Sequence, residues 1–126
     1  MKKGKILVLL LLLAMAVGLF ACDPAPRTVN YGVINYNGTL TAIKSNKEFE
    51  SGTAFMGNGI FKITFTALPD EGWQIKEWKR NGEIVKDDND LTYKNLTYKI
   101  TTKASDWDAA VKGTLNISIE FEEITI

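Results

Sequence analysis

Apolar and polar residues alternate one for one in two segments of the chain. Phe61, Ile63, Phe65 and Ala67 are spaced by Lys62, Thr64 and Thr66, and Leu115, Ile117, Ile119 and Phe121 by Asn116, Ser118 and Glu120. A period of two sends one set of side chains to a core and the other to water, so both segments are predicted β-strands. Val29, Tyr31 and Val33 repeat the pattern, followed by Leu40 and Ala42. Between them Tyr36-Asn37-Gly38-Thr39 carries an Asn-Gly pair, whose tolerance of positive φ predicts a tight hairpin turn. Leu68-Pro69-Asp70-Glu71-Gly72 predicts the next turn. Trp73 and Ile75 then share a face, but the next large apolar residue is Trp78, and this change of parity predicts a bulge near Lys76-Glu77. Asn81-Gly82 turns the chain, Ile84 and Val85 return, and Asp87-Asp88-Asn89-Asp90 makes a polar loop before Leu91, Tyr93, Leu96, Tyr98 and Ile100.

One stretch breaks the period of two. Ser105 stands as an N-cap before Asp106 and Asp108, acids that the helix dipole favours in a first turn. Trp107, Ala110 and Val111 fall at i, i+3 and i+4, and Gly113 sits where a helix commonly stops. The pattern predicts a short helix over 106–112 with one apolar stripe on the sheet. The fold class is therefore mainly β, with a small α+β arrangement as its variant.

The beginning of the chain follows a different rule. Met1 to Lys5 is cationic, and Ile6 to Phe20 is an unbroken apolar run of 15 residues. A spanning helix needs about 20 such residues, so the run has the length of a secretory h-region. It ends in Leu19-Phe20-Ala21-Cys22, which resembles the bacterial lipobox, although Phe20 is bulkier than usual at its position. The resemblance implies a lipoprotein signal peptide over 1–21, with Cys22 diacylated (palmitate-type chains) and made the new N-terminus. Two or three acyl chains hold a protein firmly on a membrane where one does so only marginally. Residues 22–28, with Pro24 and Pro26, are expected to form an extended tether, and 29–126 a β-rich domain. The expected location is the extracytoplasmic face of the cell membrane or outer envelope.

Composition narrows the chemistry. The chain has 126 residues, 15 Lys and Arg, 15 Asp and Glu, one Cys and no His. Removal of 1–21, which holds Lys2, Lys3 and Lys5 and no acid, leaves a net charge of −3. That body lacks the basic excess that a phosphate backbone needs, so no nucleic-acid partner is expected. Without His, and with one Cys, the chain has no Ser-His-Asp or Cys-His machinery, no thiolate metal cluster and no intrachain disulfide.

The order of the remaining motifs resembles the bacterial repeat domain of surface proteins, related to internalin-type B-repeats. The residues that carry the likeness are Asn37-Gly38-Thr39-Leu40-Thr41-Ala42, Ser51-Gly52, Ile63 to Pro69, Glu71-Gly72-Trp73, Trp78 to Gly82 and Ile117 to Phe121. The likeness covers about Tyr31 to Glu122. It implies a compact β-grasp-like antiparallel sheet and a role as an adhesion or spacer module on a cell envelope. A protein or an envelope polysaccharide is the implied ligand. The chain departs from the pattern in having a single copy and the insert near 103–112.

Candidate sites are few. Asp87-Asp88-Asn89-Asp90 invites calcium, but counted from Asp88 the EF-hand positions six and twelve are Tyr93 and Lys99, so a hairpin tip is the reading preferred. Glu120 and Glu122 lie on one strand face about 7 Å apart, a spacing that glycosidase carboxylates use, yet a solvated face explains them better. The lipobox resemblance implies that the Asn-x-Ser/Thr sequons at Asn37, Asn95 and Asn116 are accidental. Lys76, Glu77, Lys79 and Arg80 are mixed in sign and read as a solvated face. Trp73 and Trp78 stand where the resembled family has large apolar residues, which implies the core for them, and Trp107, on the insert, is the expected exposed binding anchor. No cofactor, metal or catalytic residue is expected. The expected function is a non-catalytic binding, adhesion or structural module, with a carboxylate-dependent hydrolase, or a protein inhibitor of one, as the alternative.

Overall fold

The computed structural model describes residues 26–107 and 113–125. The leader, Cys22 and residues 108–112 of the expected helix lie outside them. The chain is mainly β, with nine strands among the described residues. They are β1 (Arg27–Val33), β2 (Gly38–Lys44), β3 (Lys47–Phe49), β4 (Thr53–Phe55), β5 (Lys62–Pro69), β6 (Trp73–Arg80), β7 (Glu83–Ile84), β8 (Thr97–Thr101) and β9 (Thr114–Glu123). Of the expected helix only Asp106 and Trp107 are described, and they show no α-helix: a single 3-10 turn at Ala104–Asp106 ends where the helix was expected to begin. The first strand begins at Arg27, two residues inside the segment expected to be tether.

The strands form two sheets, in the orders β8-β5-β2-β3 and β4-β1-β9-β6-β7. Their inward faces share one core. Tyr31 of β1 meets Phe65 of β5 edge-on at 6.0 Å, and Trp78 of β6 meets Tyr98 of β8 at 5.4 Å. The residues predicted to face inward do so: Ile63, Phe65, Ala67, Leu115, Ile117, Ile119 and Phe121 are all buried. β9 is the axis of the second sheet. It pairs antiparallel with β6 and parallel with β1, so the first and last strands of the domain lie side by side. Leu91 and Leu96, by contrast, stay exposed in the stretch between β7 and β8.

The predicted bulge is present. Along β6 against β9, Glu77 faces Glu120 and Ile75 faces Phe121, which leaves Lys76 as the extra residue. The extra residue restores inward parity, so that Ile75 and Trp78 can both be buried. The predicted hairpin at Asn81-Gly82 is present too, with Arg80 opposite Glu83 and φ of 50° and 86° at the two turn residues.

The hairpin expected at Asn37-Gly38 is not formed. β1 and β2 belong to different sheets, so residues 34–37 carry the chain across one end of the sandwich. The positive φ falls at Tyr36 (60°), and Gly38 is the first residue of β2. The turn expected at Leu68 to Gly72 is made by Asp70 to Gly72 alone, since Leu68 and Pro69 still pair within β5, and it too crosses between sheets. The two crossings are tied together by the Asp70 N–H, which donates to the Asn37 carbonyl at 2.9 Å. Asn35 locks the first crossing onto β9. Its amide donates to the Phe121 carbonyl at 2.5 Å, and its Oδ1 accepts from the Phe121 N–H at 3.2 Å. A side-chain amide here imitates one more ladder rung beyond the end of β1.

Candidate functional site

Trp107 is not an exposed anchor. Its ring is 7% exposed, lies edge-on to Phe61 with centroids 5.9 Å apart, and donates Nε1–H to the Gly59 carbonyl at 3.0 Å. An indole has a large apolar body and one donor, and this position satisfies both inside the protein. The segment that carries Trp107 places the ring in the core.

What Trp107 holds is the loop 56–61. Thr102, buried among apolar neighbours, donates its hydroxyl to the Gly59 carbonyl at 2.7 Å and accepts from the Phe61 N–H at 2.7 Å. Arg27 donates Nη1–H to the Gly57 carbonyl at 2.9 Å. Gly59 has φ of +88°, and a Cβ there would lie 2.8 Å from Arg27 Nε and 3.1 Å from Trp107 Nε1. Asn58 closes the loop tip by accepting the Ile60 N–H on Oδ1 at 3.0 Å. The backbone is thus fastened from below by three side chains distant in sequence, while Met56 and Ile60 stay 63% and 57% exposed.

The other candidates resolve as follows. Trp78 is fully buried and donates Nε1–H to the Asn95 carbonyl at 2.9 Å, and Trp73 is half-buried against the core. Glu120 pairs with Lys76 at 3.4 Å, while Glu122 accepts from Gln74 at 3.1 Å and has Lys94 at 3.9 Å. These carboxylates are spent on a cross-strand charge array on the outer face of the second sheet. Asp87 accepts the N–H groups of Asn89 and Leu91 at 2.8 and 3.0 Å, so its carboxylate shapes the loop tip. Among the described residues, no group of three or more His, Cys, Asp or Glu is placed to hold a metal ion. No helix there is long and apolar enough to cross a membrane.

A depression of about 480 Å³ opens beside Tyr31, lined also by Glu48, Phe49, Glu50 and Ser51. Tyr31 donates its hydroxyl to the Phe49 carbonyl at 2.6 Å, and its N–H goes to Ser51 Oγ at 2.8 Å. Burial pushes the Tyr31 phenol above its ordinary pKa of 10.0, and the negative charges of Glu48 and Glu50 add to the shift. The neutral phenol therefore favours the fold below about pH 10, and that contribution is lost as pH rises through the raised value. Two carboxylates beside a hydroxyl could accept a cationic or hydroxyl-rich group, but the depression is open and both acids are exposed. This place is not visible in the sequence, because Glu48 lies in, and Glu50 just after, a three-residue strand too short to show a period.

No protein-family model, no curated protein and no solved structure matches this chain. The likeness to the bacterial repeat domain rests on its motif residues alone.

Proposed function

We propose that the chain is a bacterial lipoprotein that carries one β-sandwich module on the extracytoplasmic side of a membrane, where it acts without catalysis as a binding, adhesion or structural element. The observation that carries this reading is the order of cationic start, apolar run of 15 residues and Cys22 at its end. The short path from Cys22 to the first strand at Arg27 supports it, since such a spacer keeps the module at the membrane surface. The absence of His, and the engagement of Glu120 and Glu122 with cations, leave hydrolysis little support. A hydrolase remains the second reading only because Glu48 and Glu50 border the depression at Tyr31. Water reaches both acids freely, whereas such reactions run in sites that exclude it.

Metabolic labelling with radioactive fatty acid in a bacterial host tests the anchor. Label is expected in the wild-type protein and absent from Cys22→Ala. Equal labelling of the two refutes the assignment.

A further inference from the structure

The two ends of the sandwich differ in what they expose. Strand register puts Pro26, the loop 56–61, the Ser45-Asn46 turn, the Asn81-Gly82 turn and Lys103 at one end. That end carries exposed Lys47, Lys62 and Lys103. Of its acids, Asp106 is paired with Arg80 at 2.7 Å, while Glu83, and Glu48 one rung in from Lys47, are exposed. The opposite end, where β5 turns into β6 and β9 finishes, carries Asp70, Glu71, Glu122 and Glu123, with Lys94. Met56 and Ile60 stand on the lysine-bearing end. They cannot fold back into the core, because Arg27, Thr102 and Trp107 already hold the backbone beneath them.

We infer that Met56 and Ile60 rest in the headgroup region of the bilayer that holds Cys22, with Lys47, Lys62 and Lys103 over its anionic lipids. The inference rests on the lipid-anchor reading above. Three observations select a membrane as the occupant. Cys22 is four residues from Pro26, so the acylated sulfur is at most about 14 Å of chain from the end that bears this loop. Exposed aliphatic side chains on a rigid loop suit an interface that takes apolar groups. Lysines beside them complement an anionic leaflet, whereas the acidic end would be repelled by it.

The test uses the full acylated protein in vesicles holding a third anionic phospholipid. Acylation blocks the sulfur of Cys22, so one new thiol can carry a polarity-sensitive fluorophore, at Met56→Cys, Ile60→Cys or Leu68→Cys. Leu68 is 65% exposed at the opposite end and serves as the reference. Nitroxide-bearing lipids are expected to remove roughly half of the signal at positions 56 and 60, and under about a tenth at 68, with iodide in the water showing the reverse order. Vesicles that float with the protein while position 56 quenches like position 68 overturn the contact and leave the anchor standing. Protein that fails to float overturns both. Protection of position 56 from iodide without quenching by lipid would place a second copy on the loop and overturn the bilayer assignment.

Discussion

Asn37-Gly38 and Asn81-Gly82 are the same dipeptide, and the chain uses them in different ways. At Asn81-Gly82 both residues take positive φ, and the flanking strands stay in one sheet, paired to each other. A Cβ at Gly82 would meet nothing within 4 Å, so the glycine is there for its backbone angle. Asn81 also ties the turn to distant segments, donating to the Asp106 carbonyl at 2.8 Å and accepting from the Asn116 N–H at 2.8 Å. At Asn37-Gly38 the flanking strands part to different sheets, and Gly38 is extended. A Cβ there would lie 2.5 Å from Phe121 Cε2 and 2.7 Å from the Leu68 carbonyl oxygen. This glycine is there for room, and the ring it admits closes one end of the core. One dipeptide can therefore mark a turn for two unrelated physical reasons, angle and space, which local sequence does not separate.

The comparison can be pressed hardest at Gly38. Gly38→Ala is expected to cost about 3 kcal/mol, because a carbonyl oxygen and a packed ring must both move. Urea denaturation would measure it, and the cost should shrink in a Phe121→Leu background; strict additivity of the two changes would remove the packing explanation. Asn35→Ala, which strips the imitation rung from the same crossing, is expected to cost about 2 kcal/mol, since it leaves the Phe121 N–H and carbonyl without partners. Amide exchange at Phe121 should accelerate in that variant, and unchanged protection would show that the rung is dispensable. Gly82→Ala should be mildest, about 1 kcal/mol, as only the cost of positive φ is involved. Gly82→Asn should recover most of that loss in the same melts, whereas Gly38→Asn should recover none.

The trade between local and distant information recurs across the molecule. Alternation along Phe61 to Ala67 and Leu115 to Phe121 is enough to name strands and most of the core, and the parity break at Trp78 is enough to place a bulge near Lys76-Glu77, which the register then assigns to Lys76. Trp107 was misplaced from the same kind of reading. Its neighbours in sequence say nothing of Gly59, whose carbonyl it binds 48 residues away. The loop it fastens has no motif, and the Tyr31 depression has none either, because each is made by segments that meet only after the sheets have packed.

Pleat and turn chemistry, which act over a few residues, are written in the order of amino acids: which segments extend, which side of each is apolar, where Lys76 must bulge and where Asn81-Gly82 must bend. Partnership is a different quantity. That β1 lies parallel to β9, that Asn35 completes a ladder at Phe121 across 86 residues, and that Met56 and Ile60 stand on a fixed base above Thr102 and Trp107 all depend on how two faces fill one core. Such contacts are chosen by volume and by the need of each buried polar group for a mate, and those demands exist only once the sheets have come together.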